Sequence, residues 1–290
     1  MKKSRKLATL GICSALFLGL AACQQQHATS EGTNQRQSSS AKVPWKASYT
    51  NLNNQVSTEE VKSLLSAHLD PNSVDAFFNL VNDYNTIVGS TGLSGDFTSF
   101  THTEYDVEKI SHLWNQKKGD FVGINCRINS YCLLKNSVTI PKLEKNDQLL
   151  FLDNDAIDKG KVFDSQDKEE FDILFSRVPT EATTDVKVHA EKMETFFSQF
   201  QFNEKARMLS VVLHDNLDGE YLFVGHVGVL VPADDGFLFV EKLTFEEPYQ
   251  AIKFASKEDC YKYLGTKYAD YTGEGLAKPF IMDNDKWVKL

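Results

Sequence analysis

The sequence predicts an α+β fold, with a helical N-terminal part packed on an antiparallel sheet. Three observations predict it. Apolar residues recur at helical spacing through the first half of the chain. Runs rich in Val, Leu and Phe, punctuated by Asp and Gly, follow in the second half. The two kinds of segment are segregated rather than alternating, which also argues against a two-lobed solute receptor of a transporter.

The elements follow in order. Ser57-Thr58-Glu59-Glu60 fits a capping box from Ser57 to Glu60, opening a helix with Val61, Leu64, Leu65 and Leu69 on one face. Asp70-Pro71 stops it. A second amphipathic run covers Val74 to Val88, and the glycine-rich stretch from Gly89 to Gly95 breaks it as a connector. That stretch lacks the Gly-Lys-Ser/Thr ending of a phosphate-binding loop. A third helix is expected from Glu104 to Gln116. Asn125 caps a fourth from about Arg127 to Lys135, and Val186 to Phe200 reads as another. Strands are expected at Met208 to His214, Tyr221 to Val231 and Phe237 to Phe245, with turns at Asp218-Gly219 and Asp234-Asp235-Gly236. A helix from Lys257 to about Asp270 and a last strand at Lys278 to Met282 complete the chain.

Residues 1–22 have the layout of a secretory leader. Lys2, Lys3, Arg5 and Lys6 precede an apolar stretch, and Leu20-Ala21-Ala22-Cys23 closes it. The stretch is shorter than the roughly 20 residues that span a bilayer comfortably. It resembles the lipoprotein class, which implies that Cys23 becomes a lipidated N-terminus and that the rest stays on the outer face of a bacterial cell membrane. Residues 23–42 are then the lipidated cysteine and a Gln- and Ser-rich tether, and 43–290 a single domain, helical over about 43–120.

Losing the leader takes the 31 Lys and Arg to 27 against 40 Asp and Glu, a net charge of −13. Such a surface repels nucleic acid, so no nucleic-acid partner is expected. The membrane is met through the lipid alone. With 41% hydrophobic residues and 20 Phe, the chain can bury a sizeable core.

Beyond the leader and Cys23, the thiols are Cys126, Cys132 and Cys260. Cys126 and Cys132 are six apart, which on one helix displaces them by about 9 Å along the axis and about 240° around it. A disulfide tolerates Cα separations only up to about 7 Å, so these two should not bridge. The state of Cys132 and Cys260 is left open. The histidines show no His-x-x-x-His or Cys-x-x-Cys spacing, and the alternating acids from Asp153 to Asp158 lack a calcium loop's glycine, so neither metal nor cofactor is expected. The acidic cluster Asp167 to Asp172 reads as a solvated helix start.

Cys126 is the chemically interesting thiol. At the first turn of a helix it meets unsatisfied N–H groups and the positive end of the helix dipole, and Arg127 adds charge beside it. His226, a lone polar residue in Gly225-His226-Val227-Gly228-Val229-Leu230-Val231, needs a partner if buried. Either residue could instead be an inert member of the core.

Asn125-Cys126-Arg127 opening a helix, followed downstream by Gly225-His226-Val227-Gly228-Val229 and a Gly-containing hairpin, resembles papain-like cell-wall peptidases of the NlpC type. The resemblance covers Phe121 to Lys135 and Leu222 to Phe245. It implies a papain-like arrangement over about 121–290, with Cys126 attacking an amide, His226 as base and a polar residue of the next strand orienting the base. Here Asn-Cys-Arg replaces the usual Asp-Cys-Ser/Gly, and the interval between Cys126 and His226 is long. Oxyanion donors are limited to Asn125 and Gln250. As a whole, the chain resembles an uncharacterised family of Gram-positive surface lipoproteins.

The orienting residue follows from register. Pairing Val231 with Gly236, or Pro232 with Asp235, sets Glu241 opposite His226, whereas a five-residue loop would put Lys242 there. Two functions remain to be weighed. One is a surface cysteine hydrolase acting on amides such as peptidoglycan stem peptides. The other is a non-catalytic lipoprotein binding a wall component, peptide or partner protein.

Overall fold

The computed structural model describes residues 46–101 and 103–290. The leader, Cys23 and the tether lie outside the described residues. In chain order the elements are β1 (Ala47–Thr50), α1 (Gln55–Ser66), α2 (Pro71–Val88), β2 (Thr98–Ser99), α3 (Val107–Lys118), α4 (Cys126–Leu134), β3 (Val138–Thr139), α5 (Phe151–Gly160), α6 (Ser165–Leu174) and β4 (Val178–Pro179). There follow α7 (Val186–Phe197), β5 (Gln201–Phe202), β6 (Arg207–Asp215), β7 (Tyr221–Ala233), β8 (Gly236–Lys242), β9 (Tyr249–Phe254), α8 (Lys257–Lys267), β10 (Phe280–Asp283) and β11 (Lys286–Val288). The fold is α+β, with most helices preceding the sheet in sequence. No helix of the described residues is long and apolar enough to cross a membrane.

The main sheet runs β11-β10-β6-β7-β8-β9-β1-β2, with β4 added to β7, and its pairings are antiparallel. Its centre is the β6-β7-β8-β9 meander. One face is covered by α2 and α4, whose Phe77, Val81, Tyr84, Ile128 and Leu133 share a buried cluster with Val227, Val229, Val231, Leu238 and Val240. Side chains alternate along a strand, so Phe239 and Glu241 point the other way, where Tyr263 of α8 meets them.

Polar side chains fix the helix starts. Asn54 accepts from the Ser57 amide, so α1 begins ahead of the Ser57 box expected from sequence. Asn54 is in the extended conformation that a cap requires. Ser57 is buried inside the helix, its hydroxyl accepting from Thr50, and Glu60 pairs with Lys253 rather than capping. Asp70 caps α2, with Pro71 at its first position, where the missing N–H costs nothing.

No helix was expected at α5, whereas Asp167 to Asp172 was expected to be a solvated helix start. The alternating acids of 153–158 lie in α5, and the acidic cluster of 167–172 lies inside α6, capped by Asp164. Asp172 is not solvated: it is buried, bonded by Lys145 at 2.7 Å and Asn154 at 2.9 Å. The strand expected at Phe237 to Phe245 ends at Lys242, whose ammonium gathers the carbonyls of Thr244, Phe245 and Glu247 into a turn. The last strand begins at Phe280 and returns as β11.

Candidate functional site

The start of α4 is held by a buried network. Asn125 adopts extended geometry and its Oδ1 accepts from the Ile128 amide at 3.0 Å, which makes it the N-cap. Its Nδ2 donates to Asp153 at 2.7 Å. The Arg127 guanidinium forks onto both Asp153 oxygens, at 2.9 and 2.8 Å, and also donates to the Val224 carbonyl. Side-chain exposure at this pair is 12% and 1%, so the bidentate bond is screened little by water.

These contacts fill a gap in the sheet. On the side of β7 away from β6, β4 pairs only with Tyr221 and Leu222, and β8 pairs only from Gly228 onward. Between them the carbonyls of Val224 and Val227 accept from Arg127 and Ser130 of α4. The helix start thereby substitutes for the missing strand and brings Cys126 to the stretch of β7 that carries His226.

A bulge aims that histidine. Val211 pairs with His226 but Val212 pairs with Val224, so Gly225 is the extra residue. Both Val224 and Val227 therefore join the core on the helix-covered face, despite their opposite parity. A Cβ on Gly225 would stand 2.2 Å from Leu213 Cδ1, so only glycine fits the bulge without displacement.

His226 Nε2 lies 2.5 Å from Glu241 Oε2. A carboxylate accepts, so Nε2 carries the proton and Nδ1 is the basic nitrogen of the neutral ring. Among the described residues Nδ1 has no hydrogen-bond partner. Cys126 lies near enough to the imidazole to favour its protonated form. Burial disfavours a charged ring, but Cys126 and Glu241 outweigh it and the His226 pKa is raised. The ring of Tyr268 stacks on the imidazole with centroids 5.1 Å apart.

Glu241 does not stand directly opposite His226 as pairing from the sequence had it. The turn is Asp234-Asp235, joining Ala233 to Gly236, and Gly228 is the residue opposite Glu241. Gly236 has φ +133° and the Phe254 carbonyl where a Cβ would stand, which fixes it as the first residue of β8. The displacement is two residues, so Glu241 keeps its face and reaches His226 diagonally. Gly228 leaves room for the Phe239 ring, which a Cβ there would meet at 2.3 Å. Lys242 faces the other side.

The other Glu241 oxygen accepts from the Tyr263 hydroxyl, and Lys267 Nζ lies 3.4 Å from Oε2. Burial alone would raise this carboxyl's pKa, but Lys267, His226 and Tyr263 bring it down to about 2. Cys126, His226 and Glu241 are all fully enclosed. The arrangement can move a proton from a thiol to Nδ1 and balance the resulting imidazolium with a fixed carboxylate.

The two expected oxyanion donors are otherwise engaged. Asn125 is divided between its cap and Asp153, and Gln250, which pairs with Glu241 across β8 and β9, donates to the Tyr105 hydroxyl at 2.8 Å. Tyr263, Lys267, Tyr268 and Asp153 were missed from the sequence. Tyr263 and Lys267 are spaced one helical turn apart on α8, but nothing local says that this helix covers Glu241.

Among the described residues Cys126, Cys132 and Cys260 are all buried and none forms a disulfide. Burial pushes Cys132 up to about 12 and Cys260 well above the ordinary thiol range. Among the described residues no three His, Cys, Asp or Glu side chains gather to hold a metal ion.

Comparison with curated proteins and with solved structures finds no match. Residues 48–288, from β1 through β11, match a family described as a domain of unknown function, DUF4300, and the chain belongs to that family.

Proposed function

We infer that this chain is a lipoprotein tethered through Cys23 outside the bacterial cell membrane, whose domain is a cysteine hydrolase cutting amide bonds. Peptidoglycan stem peptides are the nearest substrate class. The observation that carries the reading is the meeting of Cys126, His226 and Glu241, from a helix start and two neighbouring strands, with the tautomer of His226 set by Glu241. This is also the order of roles that the local likeness to papain-like NlpC-type peptidases implies.

In the reaction, His226 Nδ1 takes the Cys126 proton and the sulfur attacks the amide carbonyl. The imidazolium then protonates the leaving amine, and a thioester remains on Cys126. Water, deprotonated by His226, cleaves the thioester and restores the thiol. Glu241 stays ionised throughout and steadies the imidazolium. Because the three side chains are enclosed, turnover on this reading requires the cover to open, and half-buried Tyr268 over the imidazole is the side chain placed to move.

Enclosure of the thiol and the engagement of Asn125 and Gln250 favour a second reading, a non-catalytic lipoprotein that binds a wall component, peptide or partner protein. Digestion of purified peptidoglycan separates the two. The hydrolase reading expects new amino termini by mass spectrometry with the wild-type chain and none with Cys126→Ala. Wall binding that is equal for both chains, with no cleavage by either, supports the second.

A further inference from the structure

Lys242 ends β8 with its side chain fully buried on the face covered by α2 and α4. Its ammonium donates to the carbonyls of Thr244 at 2.8 Å, Phe245 at 3.2 Å and Glu247. Three acceptors match three N–H donors, so only the charged form satisfies them all. The rings of Tyr84 and Tyr249 lie 4.3 and 5.2 Å from Nζ, close enough for their faces to attract a cation. Among the described residues no carboxylate comes within ion-pair distance of it. The three carbonyls and two ring faces offset the cost of burying this cation.

The turn it gathers lies on the approach to Cys126. A Cβ on Gly123 would stand 3.3 Å from the Phe245 carbonyl, and Gly123 takes φ +97° to pass beneath it. Two residues later comes the cap Asn125, then Cys126. The Tyr84 hydroxyl, donating to the Glu246 carbonyl, braces the same turn from α2.

We propose that Lys242 is a positioning residue for Cys126: its ammonium holds the Thr244–Glu247 turn against Gly123 and, as a buried positive charge on the thiol's side of the sheet, favours the Cys126 thiolate. Tyr84 from α2 and Tyr249 from β9 face it, and the charges of Glu246 and Glu247 from the turn and of Cys126 from α4 act on it. Burial lowers the Lys242 pKa to about 7, while Glu246, Glu247 and Cys126 act to keep it charged. Coupling between two titrating groups is mutual, so what the thiolate does for the ammonium, the ammonium does for the thiolate. The consequence for catalysis rests on reading Cys126 as a nucleophile; the coupling itself does not.

The test is a pH titration of the full chain carrying 13Cε-labelled lysine, followed by NMR in wild type and Cys126→Ser. The Lys242 midpoint should fall in Cys126→Ser by a few tenths of a pH unit to about one unit. In parallel, thiolate absorbance at 240 nm, taken as the difference between chains with and without Cys126, should need higher pH in Lys242→Met. An unchanged Lys242 midpoint in Cys126→Ser overturns the proposal whatever Lys242→Met does, including failing to fold. Neither readout needs turnover, so a chain that cleaves nothing still answers the question.

Discussion

His226 and Glu241 are bonded at 2.5 Å although they are not cross-strand partners: Gly228 occupies the position opposite Glu241, and the histidine reaches it along the diagonal. Gly225 makes this possible by supplying the bulge, while Gly228 leaves room for the Phe239 ring behind it. The site is therefore a property of backbone irregularity as much as of the three side chains.

The bulge gives the first prediction. Gly225→Ala should destabilise the domain by about 1–3 kcal/mol, because the new methyl overlaps Leu213 in a packed interior. Urea midpoints check it. Leu213→Ala in the same chain should recover part of that loss relative to its own single variant, and strict additivity of the two losses would contradict the overlap.

The anchor of α4 gives the second. Asp153→Ala removes the carboxylate from the partly buried Arg127 guanidinium and should cost about 2–3 kcal/mol in thermal or chemical unfolding. Replacing both residues by apolar ones of similar volume should cost much less. A loss below about 1 kcal/mol for Asp153→Ala would show that the pair does not hold the helix start.

Glu241 makes acid stability informative. Its pKa is about 2 in the fold and 4.5 ordinarily, so its ionised form contributes stability above pH 4.5 that is lost as pH falls toward 2. That contribution is on the order of 3 kcal/mol. Glu241→Gln should therefore be less stable than wild type at pH 6, and the gap should close across this window. A constant gap from pH 6 to pH 2 would show that the carboxylate's charge is not what the network uses.

The anchoring proposal is tested separately. Cys23→Ala should release the domain into the medium or leave the leader uncut, whereas a membrane-bound chain with a cleaved leader would end the lipoprotein reading.

The helices with strong local signals were legible: Asn125 before Cys126 and Asp70 before Pro71 are capping chemistry written in adjacent residues. Ser57 misled because Asn54, three residues earlier, is an equally good cap and had the extended backbone. The α5 segment was missed because its acids look like a surface loop until Arg127, distant in sequence, is seen to neutralise Asp153; the acids of α6 showed a helix start but not that Asp172 is buried against Lys145. The same holds at the candidate site. His226 stood out as a polar interruption of an apolar strand, but its register with Glu241 depended on which two residues turn, and on a bulge that Gly225 permits without announcing. The cover from Tyr263, Lys267 and Tyr268 depends on where α8 packs, which no local pattern records.

The central claim is that Cys126 is a thiol served by His226. Treating the folded chain with iodoacetamide near neutral pH, then mapping modified peptides over time, tests it most directly. Cys126 should be modified at least about tenfold faster than Cys132 or Cys260, whose thiols burial keeps protonated, and His226→Ala should remove this advantage. Modification of all three cysteines together, and only under unfolding conditions, would contradict it.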